Sequence, residues 1–257
     1  MANFPLPDLP HRTQKPRAEG VTMVMDKGLG LHAVQDLIMV AAPYIDFVKL
    51  GWTTAFVTGM LEEKLRLYRE AAIQPYFGGT LWEAHYVRGA QDNFYRLIER
   101  YQLSVVEVSD GSIEVPHEEK LRWIEDFRRR GYMVLSEVGS KDATKVLPPF
   151  RWIELIQAEL EAGSVWVIAE ARESGTVGMY RASGELREGL VEEVVHAIPV
   201  ERLIFEAPQR NQQAWFIRRF GSNVNLGNVA PEDILSVETM RLGLRGDTFR
   251  AFLQKGG

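Results

Sequence analysis

Eight short β-branched or apolar runs punctuate this sequence, and each is followed by a stretch in which apolar residues recur at helical spacing. The runs are Val21–Asp26, Ile45–Leu50, Ile73–Gly78, Ser104–Ser109, Tyr132–Val138, Ser164–Glu170, Arg202–Glu206 and Asn223–Leu226. Between them, Leu61, Leu65 and Tyr68 mark one helical face, and Leu121, Ile124 and Phe127 another within His117–Arg130. Phe216 and Phe220 do the same after Gln213. Pro148 and Pro149 open the helix that carries Trp152, Leu155, Ile156 and Leu160, and Pro231 opens the one with Ile234, Leu235 and Val237. Runs such as Val105–Val108 offer apolar side chains to both faces, as a parallel sheet covered by helices requires. Eight consecutive strand–helix units predict an α/β protein, a single (β/α)8 TIM barrel over residues 20–257. An open doubly wound sheet is the second choice. The first 19 residues hold four prolines and little periodicity, and read as a short N-terminal extended arm.

Composition narrows the function classes. No cysteine is present, so disulfides, thiolate nucleophiles and sulfur-ligated metals are excluded, and the cytoplasm is the expected compartment. The N-terminus lacks a signal-peptide pattern, and no window is apolar for long enough to span a bilayer, so no membrane role is expected. The net charge of −5 argues against a nucleic-acid partner, and the basic runs Arg128–Arg130 and Arg218–Arg219 fall at predicted helix ends, where cations complement the helix dipole. Trp152, Trp166 and Trp215 read as helix–sheet core, and the five histidines show no ligand spacing.

Barrel enzymes carry their chemistry at the C-terminal ends of the strands. Here those ends supply Asp26–Lys27–Gly28, Lys49–Leu50–Gly51–Trp52, Gly78–Gly79–Thr80, Glu107 to Asp110, Glu137 to Asp142, Glu170 to Ser174, Glu206–Ala207–Pro208 and Asn225 to Asn228. Glu107, Glu137, Glu170 and Glu206 stand at matching places and suit a hard divalent cation, with salt bridges closing the barrel mouth as the other reading. Lys27, Lys49 and Lys141 converge on the same end and point to an anionic substrate, with one lysine serving as acid, base or Schiff-base former. Gly78, Gly79, Thr80, Gly227 and Asn228 place small residues ahead of helix starts, where backbone amides approach anions.

The segments VTMVMDKGLG (21–30), DFVKLGWTTA (46–55), PYFGGTLWEA (75–84) and VEVSDGS (106–112) resemble the phosphosulfolactate synthase family. So do LSEVGSKDA (135–143), IAEARESGTVG (168–178), IFEAPQRNQQAWFI (204–217) and NVNLGNVAPEDI (223–234), and the resemblance spans about residues 15 to 250. It implies a Mg2+-dependent barrel enzyme that adds sulfite to phosphoenolpyruvate to give (2R)-3-phosphosulfolactate, for coenzyme M or sulfolactate formation. On that reading Lys141, in SEVGSKD, is the first candidate to protonate C2, with Lys49 or Lys27 as alternatives. Arg172 and Ser174, in EARESG, are expected to bind phosphate or sulfonate, and the four glutamates are the candidate metal ligands. The resemblance also implies a homo-oligomer, a trimer being the form considered. Two other readings stand beside it: a non-catalytic homologue of the kind associated with heat stress in plants, and an aldolase-type barrel using Lys49 or Lys141 as a Schiff base.

Overall fold

The strand β1 (Thr22–Asp26) is followed by helix α1 (Leu31–Ala41), β2 (Phe47–Leu50) by α2 (Leu61–Glu70), and β3 (Gln74–Phe77) by two helices, α3 (Gly79–Tyr86) and α4 (Gln91–Arg100). Then come β4 (Val105–Val108), α5 (His117–Arg129), β5 (Met133–Val138), α6 (Pro149–Ala162), β6 (Trp166–Ala169) and α7 (Glu188–Ala197). The chain ends with β7 (Leu203–Glu206), α8 (Arg210–Phe220), β8 (Leu226–Val229) and α9 (Ile234–Arg241). This computed structural model describes residues 3–139, 147–171 and 174–252. All strands lie parallel in one sheet, ordered β3-β2-β1-β8-β7-β6-β5-β4, and its end strands β3 and β4 adjoin, so the sheet curls into a nearly closed (β/α)8 barrel.

The two-residue period of the strands sorts the core into two layers. Met23, Phe47, Tyr76, Val105, Leu135, Ile168 and Ile204 point inward and fill the barrel. Their neighbours Val24, Val48, Phe77, Val106, Val134, Val167 and Phe205 point outward against the helices. Two residues beyond Phe47, Val105, Leu135, Ile168 and Ile204 stand Lys49, Glu107, Glu137, Glu170 and Glu206. Strand parity alone therefore carries the charged residues to the inside of the C-terminal mouth. Asp26 has the parity of Val24 and faces outward, where its carboxylate meets Lys64 at 2.7 Å and accepts from the Tyr68 hydroxyl and the Gly28 and Leu29 amides.

Several sequence expectations are corrected. The eighth strand begins at Leu226 instead of ending there, so Gly227 and Asn228 lie inside β8 and do not form a loop beyond it. Thr22 faces Leu226 and Val24 faces Val229, which leaves β8 one residue longer than its partner across this stretch. Asn228 takes up that residue as a bulge with φ of 53°. A Cβ on Gly227 would lie 2.7 Å from Met23 Cε and 3.0 Å from Ile204 Cγ2, so a side chain there would have to displace the inward layer. Trp166 belongs inside the barrel, edge-on to Phe47 at 5.8 Å, and not to the helix–sheet layer that holds Trp152. The helix α4 was not anticipated.

The arm folds back on its own barrel. Arg12 pairs with Glu238 at 3.1 Å and Arg17 with Asp46 at 2.9 Å, while Lys15 donates to the Ile45 carbonyl at 2.6 Å. Among the described residues no helix is long and apolar enough to cross a membrane.

Candidate active site

Lys49, near the end of β2, sits at the centre of the barrel mouth. Its ammonium lies 3.1 Å from Glu107, 3.3 Å from Glu206 and 3.5 Å from Glu137, all four side chains being almost fully buried. Burial alone would lower its pKa; Glu107, Glu206, Glu137 and Glu170 outweigh that and hold Lys49 well above the ordinary lysine value. This lysine is a fixed positive charge. It serves as the counter-ion of the glutamates and lacks the neutral amine that Schiff-base chemistry needs.

Each glutamate has a different second commitment. Glu107 accepts the Gly79 amide at 2.6 Å and lies beside Tyr76, whose hydroxyl is pushed well up by burial and by that carboxylate. Glu206 accepts the Ala171 amide at 2.9 Å through its other oxygen. Glu137 accepts the Ser109 hydroxyl at 3.0 Å. Its backbone carbonyl receives Lys120 of α5 at 2.6 Å, and Lys120 also meets Asp110 at 2.8 Å and Glu159 at 2.7 Å. Lys120 is fully buried, yet those two carboxylates hold its pKa above the usual value, whereas burial raises Asp110. The network pins the end of β5 to the β4–α5 loop.

Above Lys49 opens a cavity of about 330 Å3. Met25, Lys49, Gly51, Trp52, Gly78, Thr80, Ser112, Glu137, Glu170, Glu206 and Asn228 enclose it. The bulge in β8 turns Asn228 into this space, and its Oδ1, buried and without a hydrogen-bond partner, is available to a ligand. Oxygen donors from Glu137, Glu170, Glu206 and Asn228 suit magnesium, which ordinarily takes one or two protein carboxylates and completes its shell with substrate and water. Among the described residues no group of three or more His, Asp or Glu is set to hold a metal on its own.

The structure thus brings together Lys49, Gly78, Thr80, Glu137, Glu170, Glu206 and Asn228, all expected from the sequence. Other expected residues are placed elsewhere. Lys27 is exposed on the rim, its ammonium 5.1 Å from the centre of the Trp52 ring. Gly79 donates its amide to Glu107 Oε1 beneath the cavity. A Cβ on Gly79 would lie 2.3 Å from Ser109 Cβ, so glycine is required there for packing, and its amide is engaged by a carboxylate. Gly227 acts through the bulge. Ser174 is exposed and bonds Thr176 at 2.7 Å while its carbonyl accepts from Gln209, away from the cavity wall. Lys141 and Arg172 lie outside the described residues.

Sequence reasoning missed Glu83, a buried carboxylate on α3 that accepts from the Ser109 hydroxyl at 2.5 Å and the Ser112 amide at 3.3 Å. Its only mark in the sequence is an acidic residue directly after Leu81–Trp82 in a short apolar helix. Lys120 was likewise hidden among the charges of a surface-patterned helix.

Residues 10–247 match the family model described as (2R)-phospho-3-sulfolactate synthase (ComA). The chain is 41% identical over 244 residues to a phosphosulfolactate synthase of Methanothermobacter thermautotrophicus, covering 93% of this chain and 95% of that one. It is 42% identical over 252 residues to a phosphosulfolactate synthase of Bacillus subtilis, covering 97% and 99%. Similarity to the protein HEAT-STRESS-ASSOCIATED 32 of Arabidopsis thaliana is lower, 23% over 260 residues, covering 90% and 88%. Among solved structures, 3-hexulose-6-phosphate synthase of Salmonella typhimurium superposes with a TM-score of 0.54 at 12% identity, covering 86% and 99%, which shows the barrel fold alone. With a synthase model matched over residues 10–247 and two synthases more than 40% identical over more than nine-tenths of its length, the chain belongs to the phosphosulfolactate synthase family.

Proposed function

We propose that this protein is a carbon–sulfur lyase working in the synthetic direction, adding sulfite to C3 of phosphoenolpyruvate in a magnesium-dependent reaction. The observation that carries the reading is the mouth cavity itself, where a permanently charged lysine, hard carboxylate oxygens and an unpartnered buried amide oxygen surround a space of about 330 Å3. Such a lining suits a small, multiply charged anion joined to a hard cation.

The sulfur lone pair of sulfite forms the new bond to C3, the electrons of the C2–C3 double bond move toward the substrate carboxylate, and a proton is then added at C2. Glu137 and Glu170, with Asn228 beside them, would hold the magnesium. When bound, that ion supplies Lewis-acid stabilisation of charge developing on the carboxylate. Lys49 holds Glu107, Glu137 and Glu206 in place through its contacts, so the site is preorganised and does not reorient during the reaction. Lys141 is assigned the delivery of the proton to C2, on the face that sets the R configuration, and Arg172 the binding of a phosphate or sulfonate by its two-pronged guanidinium. Burial and the closed ring of contacts exclude bulk water from Lys49 and its partners.

The reading is tested by incubating phosphoenolpyruvate and sulfite with the protein and following 31P NMR with magnesium and with EDTA. A new phosphate-ester resonance that needs both substrates and magnesium supports it. Folded protein that leaves phosphoenolpyruvate unchanged in the presence of magnesium refutes it, and a heat-stress-type binding role then takes precedence. A Schiff base on Lys49 is disfavoured by the three carboxylates within 3.5 Å of its ammonium, whereas Lys141, the other lysine of the aldolase reading, lies outside the described residues.

A further inference from the structure

The barrel has a seam. Among the described residues every neighbouring pair of strands from β3 round to β4 is joined by a hydrogen-bonded ladder, but none joins β3 to β4 themselves. Side chains close the gap at the mouth. Glu107 of β4 takes the amide of Gly79 at the start of α3. In the opposite direction, Glu83 of α3 takes the Ser109 hydroxyl and the Ser112 amide from the loop after β4.

Glu83 is the unusual member. It is 2% exposed, and among the described residues no lysine, arginine or histidine pairs with it and its Oε2 has no hydrogen-bond partner. A buried carboxylate without a cation is costly to keep, so a residue chosen for stability alone would not be acidic. What it holds explains its presence. Ser109 stands between two carboxylates, 2.5 Å from Glu83 Oε1 and 3.0 Å from Glu137 Oε1. One hydroxyl has one proton for which the two carboxylates compete, so its orientation couples the two groups. Ser112, held by the same Glu83 oxygen, lines the mouth cavity together with Glu137.

We propose that Glu83 and Ser109 form a latch across the β3–β4 seam that positions Glu137 for cation binding. They are positioning residues, since neither lines the cavity. The latch fixes which oxygen of Glu137 turns away from the ligand space and sets Ser112 on the cavity wall. Partners that orient a metal-binding side chain typically govern metal affinity by about 10–100-fold. This inference rests on the reading that Glu137 is one of the carboxylates holding the divalent ion.

The test measures Mn2+ binding to the full chain by electron paramagnetic resonance, without substrates, for wild type, Ser109→Ala, Glu83→Ala and Glu83→Gln. Thermal unfolding is recorded for each. Ser109→Ala and Glu83→Ala should weaken Mn2+ binding by about 10-fold or more. Glu83→Gln keeps an oxygen to accept from Ser109 and Ser112 and should stay within about threefold of wild type. Should Glu83→Ala fail to fold, Ser109→Ala and Glu83→Gln decide the matter. Affinity unchanged in Ser109→Ala, loss in Glu83→Gln as large as in Glu83→Ala, or a wild type that binds no Mn2+ would each overturn the latch. A wild type that binds Mn2+ with the predicted ranking of variants, yet does not join sulfite to phosphoenolpyruvate, upholds the latch and removes only the proposed reaction.

Discussion

Replacing Lys49 by methionine would remove an ammonium that contacts three glutamates at the barrel mouth while keeping most of the side-chain volume. In the native protein this ammonium contacts Glu107, Glu206 and Glu137 within 3.5 Å, and all are buried. Breaking a buried ion pair by deleting one partner costs about 3–5 kcal/mol, because the other charge remains without compensation. A domain of this size shifts its midpoint by about 2–4 °C per kcal/mol, so Lys49→Met should unfold about 6–20 °C below wild type at pH 8. The difference should depend on pH. The folded pKa of Lys49 is raised, so its contribution is fully present below the ordinary value of 10.5 and is lost as pH climbs through the higher folded value. Wild type and variant should therefore converge above pH 10.5. Differential scanning calorimetry across this range checks the account. A variant as stable as wild type at pH 8, or a difference independent of pH, would refute the claim that Lys49 is the counter-ion of the site.

Further outcomes follow from the same geometry. Gly79→Ala introduces a Cβ 2.3 Å from Ser109 Cβ and 2.8 Å from Glu107 Oε1, and overpacking of this kind should cost about 1–3 kcal/mol in urea denaturation. Lys120→Met, which strands Asp110 and Glu159 and releases the Glu137 carbonyl, should destabilise by about 3–5 kcal/mol by the same measurement. Borohydride added during incubation with a keto acid should leave no reduced adduct on Lys49 by peptide mass mapping, because the amine stays protonated. Asn228→Ala should weaken phosphoenolpyruvate binding in titration calorimetry, and its φ of 53°, which alanine tolerates less well than asparagine, should lower the melting temperature by a few degrees.

Much of this architecture was legible in the residues because strand parity is strict. Glu107, Glu137, Glu170 and Glu206 each interrupt an apolar run two residues after an inward-facing side chain, and the barrel places all of them at its mouth. The same rule distinguishes Asp26 from its neighbours, although proximity to the strand end alone grouped it with the site. Lys27 and Ser174 show the limit of that grouping: both follow strand ends, Lys27 by one residue and Ser174 by five, and both are exposed. The β8 boundary was misread because Gly227 and Asn228 carry the composition of a turn, whereas here they form a bulge inside a strand. Glu83 and Lys120 escaped notice for a different reason. They lie on helices, where charge is ordinarily solvated, and only the tertiary packing of α3 and α5 against the strand ends buries them.

The most direct test of the account is a crystal structure of the protein soaked with Mn2+ and phosphoenolpyruvate, with the metal located by its anomalous signal. The account predicts one metal peak in the mouth cavity within about 2.3 Å of an oxygen of Glu137 or Glu170, with the substrate carboxylate completing its shell. A metal bound elsewhere, or phosphoenolpyruvate seated outside the ring of Lys49, Glu137, Glu170 and Asn228, would contradict it.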